Sequence, residues 1–191
     1  MPKSLKIFDD SSEILIHELI KDGRIKYTTL AKKLNVTPAA VKERVERLIE
    51  KKIIKISALL NPQKIYSLIA SIGIEADAEA VSIIIRKIRN CPLVYNVIKT
   101  SGSHNLIIDM VAPDLSVIDH FINQQIRSEP GIKHVEVNIG NSLVIPEFLQ
   151  LRLFHSNDPD YAPCGLRKND ETCCQSCPFF SRKVSKKEIR L

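Results

Sequence analysis

The sequence predicts an α+β chain in three parts, and three observations lead there. Apolar residues recur at helical spacing through the first third, with a three-residue break joining two short helices. From Ile65 onward the pattern becomes strand, helix, strand, strand, helix, strand, the order βαββαβ. Beyond residue 151 this periodicity stops, and four cysteines crowd together. The expected divisions are therefore residues 1–62, 63–151 and 152–191.

Composition narrows the function classes. With 44% hydrophobic and 26% charged residues, the chain has the balance of a globular protein rather than a disordered one. No apolar run approaches the roughly 20 residues of a membrane span, and residues 1–10 lack the apolar core of a signal peptide. A cytoplasmic location and no membrane partner are the expectation. Charge is unevenly spread: residues 1–64 carry a net +6, residues 65–151 a net −3 and residues 152–191 a net +3. Because nucleic-acid affinity rests on neutralising phosphates, the basic first third is where a polyanion would dock.

In that first third, Ser11 to Ile20 reads as a helix with Ile14, Leu15, Leu19 and Ile20 at helical spacing. The preceding Asp-Asp-Ser-Ser run offers N-caps, and Asp22-Gly23 ends the helix. A second helix runs from about Thr28 to Leu34, turning Leu30, Ala31 and Leu34 inward, and Asn35-Val36-Thr37 breaks it. The third starts at Thr37-Pro38, a hydroxyl cap followed by a proline whose missing N–H has no partner at that position anyway. Val41, Val45 and Leu48 form its inward stripe. Ala39, Lys42, Glu43, Glu46 and Arg47 then fall on or near the outward face.

Two helices joined by a short turn, the second presenting small and polar residues first, suit entry into the major groove of double-stranded DNA. Ala39 is placed for a thymine methyl, Lys42 for guanine and Glu43 for cytosine. Thr37 and Pro38 lie at the same leading end. Arg44, Arg47 and the hydroxyls of Tyr27, Thr28 and Thr29 are better placed on phosphates, which set register without reading sequence. The competing reading is a generic three-helix association module. After Lys51-Lys52, the β-prone stretch Ile53 to Leu60 predicts a wing-like strand leading to the next domain, ended by Asn61-Pro62.

The segment Asp22 to Leu34, followed by Thr37-Pro38-Ala39-Ala40-Val41-Lys42-Glu43-Arg44-Val45-Glu46-Arg47-Leu48 and Ile53-Ile54-Lys55, closely resembles the N-terminal domain of the leucine-responsive/asparagine (Lrp/AsnC, feast/famine) regulator family. The resemblance implies a winged helix-turn-helix whose recognition helix spans Pro38 to Glu50. It extends over about Ile7 to Ile145. For the middle of the chain it implies a ferredoxin-like domain that dimerises subunits, often assembles them further, and binds an amino acid or related metabolite.

The residues of that middle part read as strands Ile65 to Glu75, Val94 to Thr100, Leu106 to Ala112 and Val135 to Val144, with helices Ala78 to Arg89 and Leu115 to Ile126. Val81, Ile84, Ile85 and Ile88 line one side of the first helix; Ile118, Phe121, Ile122 and Ile126 line one side of the second. Helices on one side of an antiparallel sheet leave its other face free, and apolar strand residues there suit a second subunit. The resemblance places the effector near the turn Thr100-Ser101-Gly102-Ser103-His104-Asn105. Gly102 matches the family's glycine, whereas Asn105 stands where many members have Asp, and an amide lacks the full negative charge an ammonium group prefers. A hairpin turn without a ligand is the plainer reading of the same residues. Cys91 reads as a small packed apolar side chain, and His17, His120 and His134 lie in or beside regular elements with no motif around them.

The tail carries Cys164, Cys173, Cys174 and Cys177 within fourteen residues. Four thiols so close suit an all-cysteine zinc site. An iron-sulfur cluster is the alternative, given Cys177-Pro178, and three cysteines with His155 would leave one thiol free. A pair of disulfides is disfavoured in a reducing compartment. The basic end from Arg182 to Arg190 can add phosphate contacts. No Gly-rich phosphate loop, nucleophile elbow or spaced carboxylate pair is present, so the chain is not expected to be an enzyme. The reading is a homo-oligomeric DNA-binding regulator controlled by a metabolite, a metal or redox state; the alternative is a metal-dependent redox or metabolic protein whose N-terminal helices serve association only.

Overall fold

The computed structural model describes residues 9–152, and the four tail cysteines and His155 lie outside the described residues. The chain divides between Ala58 and Leu59 into two compact units, each with its own core.

The N-terminal unit holds α1 (Asp10–Lys21), α2 (Tyr27–Leu34) and α3 (Pro38–Glu50). Its core is Leu15 from α1, Leu30 and Ala31 from α2, and Val41, Val45 and Leu48 from α3. The inward stripe of α1 is not the one the apolar spacing suggested. Leu15 is buried and Ile16 and Leu19 pack beside it, whereas Ile14 and Ile20 are 46% and 77% exposed. At 100° per residue, Leu15, Ile16 and Leu19 share an arc from which Ile14 and Ile20 diverge on opposite sides. Asp9 caps α1, accepting from the Ser12 amide at 3.1 Å. Lys33 on α2 donates to Glu18 on α1 at 2.6 Å, which holds the Glu18 carboxyl below its usual range.

The expected strand over Ile53 to Leu60 does not form. Only Leu60 pairs, in an isolated bridge with Leu149, and Ile53, Ile56 and Leu59 are largely exposed. β-Propensity favours an extended chain, but a strand needs a neighbouring ladder, and this stretch serves as a connector instead.

The C-terminal unit contains β1 (Leu68–Ala76), α4 (Ala78–Ile88), β2 (Val94–Lys99), β3 (Leu106–Ala112), α5 (Leu115–Phe121) and β4 (Ile132–Gly140). All pairings are antiparallel, in the spatial order β2-β3-β1-β4, the ferredoxin-like arrangement. Alternation along β1 sends Ala70, Ile72, Ile74 and Ala76 into the core, where they meet Ala80, Val81, Ile84 and Ile88 of α4 and Val117, Ile118 and Phe121 of α5. Ile85 of α4 is only partly buried. Helix α5 widens after Phe121 into a π-helical turn, Ile122–Ile126, closed by the Arg127 amide on the Ile122 carbonyl at 2.9 Å. β4 begins three residues earlier than expected and ends at Gly140; Gly131, at φ +87°, turns the chain into it.

Residues opposite one another across the ladders share a face. The face turned away from the helices therefore carries Ile69, Ser71, Gly73 and Glu75 of β1, Ile107 and Asp109 of β3, and His134, Glu136 and Asn138 of β4. Before and after the sheet, the chain is sewn to itself: Leu60 and Leu149 exchange both backbone hydrogen bonds at 2.8 Å, and Gln63 Nε2 donates to the Leu143 carbonyl at 3.1 Å.

Candidate nucleic-acid interface and effector turn

The helix-turn-helix geometry rests on the three residues between α2 and α3. Asn35 takes the left-handed conformation at φ 53° that asparagine tolerates, and the Val36 amide returns to the Ala31 carbonyl at 3.0 Å. Thr37 then caps α3 through Oγ1, which accepts from the Ala40 amide at 3.2 Å, and Pro38 opens the helix. With Val41, Val45 and Leu48 buried, the other face of α3 is fixed outward: Ala39, Lys42, Glu43, Glu46 and Arg47 are all exposed.

These outward charges neutralise one another. Arg47 Nη2 donates to Glu43 Oε1 at 2.7 Å, and Lys42 Nζ lies 3.7 Å from Glu46 Oε1. Exposed i,i+4 pairs of this kind are worth a few tenths of a kcal/mol, so phosphates can displace them at little cost. Arg44 is half-buried and pairs with Asp9 at 3.5 Å. The Asp9 carboxyl is held below its usual range, first by its hydrogen bonds with Ser12 and further by the Arg44 charge. At the start of α2, Thr28 and Thr29 are exposed, while Tyr27 leans its ring on the core. No side chain caps this helix.

The expected effector turn joins β2 to β3. Ser101, Gly102 and Ser103 are exposed, and a side chain at Gly102 would meet nothing within 4 Å, so its glycine is not a steric requirement. Thr100 Oγ1 donates to the His104 carbonyl. Asn105 is engaged from both ends of its amide: Oδ1 accepts from the Ala76 N–H at 3.2 Å, and Nδ2 donates to the Ala76 carbonyl at 2.6 Å. Its own backbone N–H donates to Ile74 at 2.9 Å. The residue is thus a clamp between this turn and the end of β1.

His104 folds back over β1. Its ring stacks on His134 of β4, with centroids 5.8 Å apart and planes at 18°, and its Nε2 lies 3.5 Å from Glu136 Oε2. Sequence reasoning leaves His134 without a motif and does not single out Glu136. The only local signal is their i, i+2 spacing on a strand, which puts both on one face; their proximity to His104 depends on the β1–β4 register. Nearby on the sheet, Asn96 donates to Asp109 at 2.8 Å. Burial, with the Asp109 charge adding, pushes the Tyr95 hydroxyl up to about 12.

Known proteins share this plan over the two units' domains. The AsnC-type helix-turn-helix domain matches residues 9–49, and the Lrp/AsnC ligand-binding domain matches residues 69–146. The transcriptional regulator LrpA of Pyrococcus horikoshii is 30% identical over 131 residues, covering 68% of this chain and 93% of that protein. An uncharacterized helix-turn-helix regulator of Pyrococcus furiosus is 34% identical over 145 residues, covering 73% and 92%. Among solved structures, Escherichia coli AsnC superposes with a TM-score of 0.64 at 22% identity, covering 72% of this chain and 95% of that one. A Neisseria meningitidis transcriptional regulator in complex with L-methionine gives 0.63 at 17% identity, covering 85% and 97%. Two matched domains in the same order, and relatives matched over nearly their full length, lead to one conclusion: the chain belongs to the Lrp/AsnC family of DNA-binding transcriptional regulators.

Proposed function

We propose that α3 enters the major groove and reads bases through Ala39, Lys42 and Glu43, while Tyr27, Thr28, Thr29, Thr37, Arg44 and Arg47 hold phosphates and Pro38 sets the leading edge of the helix. The observation that carries this reading is the fixed rotation of α3: its apolar stripe is buried, so Ala39, Lys42, Glu43 and Arg47 face outward, their charges held only by exposed i,i+4 pairs. The test is the full chain with Lys42→Ala and Arg47→Ala together. Operator affinity falls, discrimination at one base pair weakens, the salt dependence of binding becomes shallower by about one phosphate contact, and the fold and oligomeric state persist. Unchanged affinity at matched salt sinks the assignment.

The chain acts in this reading as a homodimer or higher oligomer in the cytoplasm, with a second copy on the sheet face opposite the helices. The apolar Ile69 and Ile107 on that face support the association. The turn from Thr100 to Asn105 is the effector site, and L-methionine bound to the Neisseria relative favours an amino acid as the ligand class. Because the Asn105 amide is spent on Ala76, the exposed Ser101, Gly102 and Ser103 are the part of the turn left for a metabolite. In the tail, Cys164, Cys173, Cys174 and Cys177 hold zinc as a structural or redox-sensitive element; their number and spacing support it. Anaerobic purification with metal analysis and a visible spectrum tests this, since a coloured preparation means an iron-sulfur cluster and a metal-free one overturns the proposal.

A further inference from the structure

We propose a second metal site, separate from the cysteine tail: His104, His134 and Glu136 bind one divalent cation of the zinc class on the sheet face opposite the helices. The three side chains come from two elements. His134 and Glu136 alternate on β4 and so project from the same face, while His104 arrives from the β2–β3 turn by crossing β1. One potential ligand atom from each residue lies within 4.8 Å of the other two, and His104 Nε2 is 3.5 Å from Glu136 Oε2. Zinc bonds of about 2.0–2.2 Å in a tetrahedron place neighbouring ligand atoms about 3.3–3.5 Å apart. The His104–Glu136 pair already has this spacing, and a His134 nitrogen lies within 4.8 Å of a ligand atom of each.

A second observation marks the arrangement as built. A Cβ at Gly73 would sit 2.8 Å from Cγ and Nδ1 of His104, closer than real Cβ contacts come. Gly73 needs no left-handed backbone, and glycine inside a strand is destabilising relative to alanine. What the glycine does provide is the seat on which the imidazole lies, directly opposite Glu136 in the β1–β4 register. Two imidazoles with one carboxylate favour zinc, cobalt or nickel over magnesium or calcium, which prefer oxygen donors. Three protein ligands leave a fourth position for water or another donor. A plain ion pair between a protonated His104 and Glu136 would explain one of these contacts, but neither the stacked His134 nor the bare Gly73.

The experiment uses the full chain with Cys164, Cys173, Cys174 and Cys177 all changed to serine, titrated with Co2+ by calorimetry and visible spectroscopy. One Co2+ binds per chain, with ligand-field bands and no thiolate charge transfer. His134→Ala, and separately Gly73→Val to displace the His104 ring, each weaken binding at least tenfold. Absence of Co2+ and Zn2+ binding in the serine chain, or binding that survives His104→Ala with His134→Ala, overturns the site. Should the serine chain fail to fold, the unmodified chain is followed by NMR: Co2+ broadens the His104 and His134 ring signals, and rings left sharp at saturating Co2+ equally overturn it.

Discussion

Asn105 grips Ala76 by both backbone groups, giving its amide N–H to the Ala76 carbonyl and taking the Ala76 N–H on its amide oxygen. An aspartate cannot reproduce this, because a carboxylate has no donor for the carbonyl and brings a negative charge against it. Asn105→Asp is expected to lower the stability of the C-terminal unit by about 1–3 kcal/mol, seen as a fall in its calorimetric unfolding midpoint. An unchanged midpoint would mean that the clamp carries no net stability.

Gly131 offers a sharper backbone test. At φ +87° it sits where L-residues are strained, and a Cβ there would meet Asp77 Oδ2 at 3.2 Å and Ala80 Cβ at 3.4 Å. Its carbonyl also accepts from the Asp77 amide at 3.0 Å, fastening the entry to β4 against the start of α4. Gly131→Ala should cost about 1–2 kcal/mol in urea unfolding. Alanine at Gly102, where nothing lies within 4 Å, serves as the near-neutral control.

Glu43 restrains Arg47 in the free protein, and in the proposed complex it reads a cytosine. Glu43→Gln removes a negative charge from a surface that meets phosphates and releases its cationic partner. Binding to unrelated duplexes is expected to tighten roughly two- to fivefold, while discrimination at one base pair of the operator weakens by about 1–3 kcal/mol. Fluorescence anisotropy on operator and scrambled duplexes at one salt concentration separates the two effects. Equal changes on both duplexes would remove Glu43 from base reading.

His120 makes stability pH-dependent. Burial holds its pKa below the ordinary 6.5, and its Nε2 is buried without a hydrogen-bond partner among the described residues. The unfolded chain therefore takes up this proton at higher pH than the folded one. Its contribution is intact above about pH 6.5 and declines as pH falls through that value toward the lower folded pKa. His120→Leu should reduce the difference in unfolding free energy between about pH 7.5 and pH 5. Identical pH slopes for the two proteins would contradict this.

The features legible in the sequence were those set by near neighbours. Thr37-Pro38 announces the start of α3 because a hydroxyl cap and an N1 proline act within one turn of helix. The βαββαβ order is likewise visible in the change of apolar period. The rotation of α1 was misread because Ile14 and Ile20 are as apolar as Leu15, and only packing against α2 and α3 decides which of them turns inward. The stretch from Ile53 to Leu59 has strand propensity without a ladder. At the candidate sites, the outward face of α3 followed from its buried stripe. The meeting of His104 with His134 and Glu136 could not be anticipated, since it depends on a register between strands some sixty residues apart and on the bare space above Gly73.

The reciprocal bridge between Leu60 and Leu149 makes the entrance and the exit of the C-terminal unit a single fastening. Asn61 reinforces it by donating to Glu147 at 3.3 Å, one residue along from the bridge on one side and two on the other. Tension on the chain past Leu149 consequently loads Leu60 through two short hydrogen bonds, next to the division at Ala58 and Leu59 and without passing through the sheet. Past Leu149 the chain therefore leaves the C-terminal unit beside the point at which it enters, and the fastening there is independent of the sheet ladders.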